Sequence, residues 1–137
     1  MSLRIYVAGP MESVGGNWNF PLFDYAAECL RRIGCEVFNP ADHIRDVFGS
    51  LEAVKTMDKA TLKLARKDGL LDEIRWIHDF AELVYLLPGW EKSSGATAER
   101  AFALAVKIPV IEADPSISLM GAGSNFIIDI DVPAEIE

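Results

Sequence analysis

The most chemically suggestive stretch of the sequence is "LLPGWEKSSGATAER", residues 86–100. It leaves an apolar run, turns on Pro88 and Gly89, and places Ser93, Ser94 and Gly95 at the start of a helix that carries Glu99. A helix N-terminus offers free N–H groups and a partial positive charge, which suits a phosphate. The serines can add hydroxyl contacts, and Gly95 permits close backbone approach. Ser93 or Ser94 can equally serve as the helix cap, and one residue can do both. Glu99 lies about one turn into the helix. The helix end stabilises it as an anion there, so it is a candidate nucleophile or electrostatic partner, set against the plainer option of an exposed first-turn glutamate.

Glycosidic-bond chemistry needs a pair of carboxylates: one meets the developing oxocarbenium ion and the other assists the leaving group. Asp72 is the candidate second member. Asp68, Asp79 and Glu82 are alternatives, and spacing alone does not choose among them. His43 follows "NPAD" at the end of an expected strand and can reach a ligand there. His78, beside Trp76 and Ile77, reads as structural. With no third or fourth ligand at metal spacing, zinc is not expected. Gly9, Gly15 and Gly16 miss the dinucleotide-binding spacing, so no cofactor is expected either.

These residues must be carried by a small domain. At 137 residues, half of them hydrophobic and a quarter charged, the chain is expected to be one globular unit, 1–137, with its own core. No apolar run approaches the roughly 20 residues that span a bilayer. The start "MSLRIYVAGP" enters a strand pattern directly, without a signal-peptide pattern. The net charge of −8 argues against nucleic acid as a partner, although a local site can still hold one mononucleotide. Cys29 and Cys35 make neither a disulfide framework nor a metal site and read as reduced core thiols, which points to the cytoplasm.

Hydrophobic patterning then gives the elements. Strands are expected over 3–8, 35–40, 81–88 and 108–113, and a further one over 125–132. A helix is expected over 19–33, with Phe23, Ala26, Ala27 and Leu30 on its inner face. A short helix or turn follows over 41–50. Residues 51–79 are helical in composition, with a break expected at Asp68-Gly69. The helix over 95–106 is expected to turn Ala98, Ala101, Phe102 and Ala105 to one face. Strands alternating with helices imply a doubly wound, flavodoxin-like parallel sheet in the order 2-1-3-4, with a fifth strand available from the tail. Ligands of such sheets bind beyond the carboxyl ends of the strands. The loops there are "AGPMESVGGN", "NPADH" and "PGWEKSSGA".

"IYVAGPM", "NPA" and "LLPGWEKSSGATAE", in that order across residues 4–112, resemble the nucleoside 2-deoxyribosyltransferase-like superfamily. The closer match is to a small bacterial and phage branch of it with a Rossmann-like fold. The resemblance implies that Glu99 attacks the anomeric carbon and that Ser93 and Gly95 hold a 5′-phosphate. It implies that Asp72 contacts the base and assists its departure, while Tyr6, Gly9, Pro10 and Met11 pack around sugar and base. His43 matches a site histidine of some members. Trp90, counted with the substrate-binding residues, and Glu91 stand where characterised members carry shorter side chains. The implied partner is a small nucleoside or nucleotide, with subunits associating as a homodimer or a higher homo-oligomer.

Two classes of function follow. One is an enzyme that cleaves an N-glycosidic bond of a nucleoside or 5′-monophosphate, completed by water or by a second base. The "PGW…GATAE" string also loosely resembles a motif of cytokinin-activating phosphoribohydrolases, which break the same bond type. The other class is a non-catalytic nucleotide-binding protein, which the same fold can host.

Overall fold

The computed structural model describes residues 2–12 and 14–119. Four strands, β1 (Arg4–Ala8), β2 (Glu36–Phe38), β3 (Leu83–Leu86) and β4 (Val110–Glu112), form one sheet. All pairings are parallel and the order is β2-β1-β3-β4, the arrangement expected from the alternating pattern. The helices are α1 (Phe20–Arg32), α2 (Pro40–Phe48), α3 (Leu51–Lys55), α4 (Lys59–Phe80) and α5 (Ser94–Ala105). Strand order reverses beside β1, which opens a crevice above the ends of β1 and β3.

Strand alternation divides the core. Ile5 and Val7 of β1 and Leu83 and Tyr85 of β3 pack with Phe23, Ala26, Ala27 and Leu30 of α1, the inner face that the helical spacing predicts. Tyr6, Ala8, Val84 and Leu86 face the other side, against Ile77 of α4 and Ala96 and Ala103 of α5. A sheet covered on both faces explains why its strands read as continuous apolar runs.

The elements that position the site depend on local capping. Buried Asn39 caps α2 by accepting from the Ala41 N–H at 3.0 Å and donates to Asp24 of α1 at 2.9 Å. Arg45 of α2 ties itself to the same Asp24 at 2.6 Å. These contacts fix α2 against α1, and with it His43.

The expected break at Asp68-Gly69 is absent. The helical stretch breaks instead between Lys55 and Lys59, where Asp58 starts α4 by accepting from the Thr61 N–H at 2.8 Å. α4 then runs through Gly69 to Phe80. One helical glycine costs only about 1 kcal/mol relative to alanine, which a 22-residue helix absorbs.

The inner face of α5 also differs from expectation. Ala96, Glu99 and Ala103 are its buried residues, whereas Ala101 and Ala105 are exposed. The inward stripe therefore includes a glutamate, which a purely apolar pattern passes over. His78 is not packed inside: its side chain is 68% exposed and its Nδ1 lies 2.7 Å from Asp79 Oδ1. Cys29 is buried and Cys35 half-buried, and both are free. The strand expected over 125–132 lies outside the described residues.

Candidate active site

A cavity of about 680 Å³ opens above the carboxyl ends of β1 and β3. Its wall is built mainly from the end of β1 and the loop after it, α2, α4 and the N-terminal turns of α5, with Phe23 of α1 and Val54 of α3 also on it. Tyr6, Gly9, Met11, His43, Asp72, Ser93, Gly95 and Glu99 all line it. Pro10 and Trp90 do not. Pro10 is buried with its Cγ close to Gly89. Trp90 donates its indole N–H to Glu112 Oε1 at 2.8 Å, and the Arg100 guanidinium lies 4.7 Å from its ring.

Glu99 is only 4% exposed. It points inward because its helix face is shared with Ala96 and Ala103, which pack on the sheet. Tyr6, itself fully buried on β1, donates its hydroxyl hydrogen to Glu99 Oε2. The phenol ring stacks on Phe38 at 5.2 Å, and Trp76 packs against both rings. This aromatic floor fixes the Tyr6 hydroxyl and, through it, the carboxylate.

A further carboxyl completes the group. Glu73 of α4 also lines the cavity, near enough to Glu99 and Tyr6 to act on both electrostatically. Burial pushes the Glu99 carboxyl well above the usual glutamate range, and the neighbouring Glu73 adds to this; the Tyr6 hydrogen bond opposes it. Burial raises Glu73 as well, against its hydrogen bonds with Glu99 and Tyr6. Tyr6 rises for the same first reason, with both glutamates adding. Two neighbouring carboxyls, one of them buried, cannot both ionise cheaply, so they titrate as a pair.

Glu73 escapes the sequence reading because it sits next to the more exposed Asp72. Its signal is the spacing to Ile77, four residues on, which marks the buried side of α4. Asp72 projects elsewhere on the wall. Its side chain is 51% exposed, and its Oδ2 lies 3.8 Å from His43 Nε2.

Ser93 is the N-cap of α5: its hydroxyl accepts from the Ala96 N–H at 3.1 Å, and its carbonyl accepts from Thr97 at 3.0 Å. The N–H groups of Ser94 and Gly95 precede the first intrahelical bond and so are available to a ligand. Lys92 also borders the cavity. Across its rim, Arg66 of α4 donates through Nε to Glu12 Oε1 at 2.7 Å, and both residues lie on the wall.

Gly9 serves the fold as well as the cavity. A Cβ there would stand 2.7 Å from Leu87 Cβ, closer than side chains tolerate, so only glycine lets the end of β1 pass β3. Among the described residues, no cluster of histidine, cysteine and carboxylate side chains could hold a metal ion, and no helix is long and apolar enough to cross a membrane.

Residues 3–112 match the family model described as a domain of unknown function, DUF4406. No curated protein matches the chain significantly.

Proposed function

The chain belongs to the DUF4406 family, and for this member we propose cleavage or exchange at the N-glycosidic bond of a nucleoside or nucleoside 5′-monophosphate. The observation that carries the proposal is Glu99, a buried carboxyl lining a cavity above the strand ends and held by the Tyr6 hydroxyl. Burial keeps water from solvating the carboxylate, and the fixed phenol donor reduces the reorganisation needed at the moment of attack. The likeness of the chain to nucleoside 2-deoxyribosyltransferase-like proteins supports the same chemistry.

In the proposed reaction, Glu99 attacks the anomeric carbon and the base departs toward the wall carrying Asp72 and His43. The glycosyl ester on Glu99 is then released by water or by an incoming base. Ser93, through its backbone turn, and Gly95 receive the 5′ end of the substrate.

The test is incubation with ribo- and deoxyribonucleosides and their 5′-monophosphates, followed by chromatography for free base. A second base added to the mixture separates transfer from hydrolysis. Release of base that disappears in Glu99→Gln supports the proposal. Absence of release from every compound refutes it.

One observation favours a second reading. A carboxyl pair that retains a proton is a weak nucleophile at rest and a good hydrogen-bond donor to a bound ligand. A non-catalytic nucleotide-binding protein would show tight calorimetric binding without turnover. We further propose two-fold association, with sedimentation at micromolar concentration as its test; a monomeric mass counts against it.

A further inference from the structure

Gly69 stands in the middle of α4, a 22-residue helix, and nothing in the fold asks for a glycine there. Its backbone lies outside the left-handed region, so any residue fits it. A Cβ built on it would meet no atom within 4 Å, so no neighbour excludes a side chain. Glycine is the poorest helix former after proline, so the choice costs the helix stability. What Gly69 does have is a place on the cavity wall.

Helical spacing shows what lies on either side of it. Leu62, Ala65, Gly69 and Glu73 recur at i, i+3, i+7 and i+11, which sets them along one face of α4, and all four line the cavity. Glu73 neighbours Glu99. Gly69 is about 6 Å from Glu73 along the helix axis, and Leu62 is about 10 Å further. A purine extends roughly 7 Å from the anomeric carbon, little more than one helical turn. A base that starts at Glu99 therefore ends over Gly69, and the cavity runs on beyond it.

The walls beyond Gly69 are largely apolar. Ile44, Val47 and Phe48 of α2, Val54 of α3 and Leu62 border that end. Val47 stays 56% exposed among the described residues, apolar surface that a ligand would take out of water. The charged groups nearby are engaged or solvated: Arg66 is held by Glu12, and Asp68 is exposed.

We propose that Gly69 is a specificity-determining residue: its missing side chain opens a subsite for a bulky apolar group on the outer edge of the substrate's base. The base lies between Glu99 and Gly69. Its substituent passes over the bare helix backbone to rest against Val47, Phe48 and Leu62, and a side chain at position 69 would stand in that path. The inference rests on the nucleoside reading for sugar and base, and on the cavity alone for the apolar group.

The test uses three ligands: 2′-deoxyadenosine 5′-monophosphate, its 6-cyclohexylamino counterpart, and the free base 6-cyclohexylaminopurine. Each is titrated calorimetrically into the full chain with and without Gly69→Leu, and base release from the two monophosphates is followed in parallel. In the wild type the cyclohexyl group is expected to tighten binding about 10- to 100-fold. Gly69→Leu is expected to abolish that preference.

Equal binding of the two monophosphates by the wild type overturns the proposal; base release from both then leaves the glycosidase reading standing. Equal weakening of both by Gly69→Leu overturns it as well, since Gly69 then supports the whole site and not one subsite. If neither monophosphate binds or releases base, yet the free base binds the wild type and not Gly69→Leu, the apolar subsite holds and the glycosidase reading alone falls. Binding of none of the three overturns both.

Folding supplies the control. Gly69→Ala is expected to raise the urea midpoint, because the helix gains a better former and the added carbon enters open space. A lowered midpoint shows that the fold itself requires the glycine and overturns the proposal.

Discussion

Tyr6 and Glu99, 93 positions apart in the chain, meet through a hydrogen bond from phenol to carboxylate inside the fold. One comes from the first strand of the sheet and the other from the last described α-helix. The contact exists because β1 is central in the sheet and α5 packs on the face to which Tyr6 points.

Tyr6→Phe keeps the ring on Phe38 and Trp76 and removes only the donor. A hydrogen bond to a charged group contributes about 1.5–3 kcal/mol, so kcat is expected to fall roughly 10- to 150-fold. KM should change little, since the carboxylate is not a substrate-anchoring group. Steady-state kinetics with free-base detection checks this; an unchanged kcat rules out the phenol as a partner of the reacting carboxylate.

Glu99→Gln should separate activity from stability. Burial raises the folded-state value of Glu99 well above 4.5, its ordinary one. A raised carboxyl stabilises the fold below the unfolded-state value, and that contribution is lost as pH rises through the folded-state value. The wild type should therefore lose stability relative to Glu99→Gln as pH climbs above about 4.5. Urea denaturation of both proteins from acid to mildly alkaline pH gives the difference. A difference that does not vary with pH contradicts a buried, titrating Glu99.

Ser93→Ala removes the hydroxyl that caps α5 and is expected to cost about 1 kcal/mol of stability. If the 5′ end of a monophosphate also rests here, KM for monophosphates should rise about tenfold, with nucleosides unaffected. Ser93→Thr should restore the cap. A loss of stability without any change in KM leaves Ser93 as a cap alone.

Gly9→Ala places a methyl group into Leu87. Leu87 is fully buried and has no room to withdraw, so a cost of about 1–3 kcal/mol is expected in chemical denaturation. Gly95→Ala is the control. Its added carbon would meet only Ser93 Oγ at 3.9 Å, so stability should hold while any ligand lying close to that backbone is displaced.

The strand order is legible in the sequence because each strand is a short apolar run followed by a helix-forming segment. The right-handed crossover leaves few topologies for such a chain. Glu99, Tyr6 and Ser93 are legible for a related reason: strand ends and helix starts must converge in this fold. Glu73 is not, because its importance comes from the rotation of a long helix, and a one-residue difference turns a side chain by about 100°. The break in the helical region is misplaced because Gly69 draws attention in a sequence, while the capping by Asp58 that divides α3 from α4 depends on a local hydrogen bond. The inner face of α5 is misjudged because a carboxylate occupies one of its core-facing positions.

The bond between Glu12 and Arg66 fastens the loop after β1 to α4 across the rim of the cavity. Both side chains are partly open to solvent, and such pairs hold by only about 0.2–1 kcal/mol. The fastening therefore opens and recloses by thermal motion far faster than any slow chemical step. Added salt loosens it further by screening. Admission of a ligand should thus quicken with ionic strength, while an anion that reaches Arg66 competes with Glu12 for the same guanidinium. The rim turns away no ligand by strength; it exchanges one carboxylate partner for whatever anion arrives.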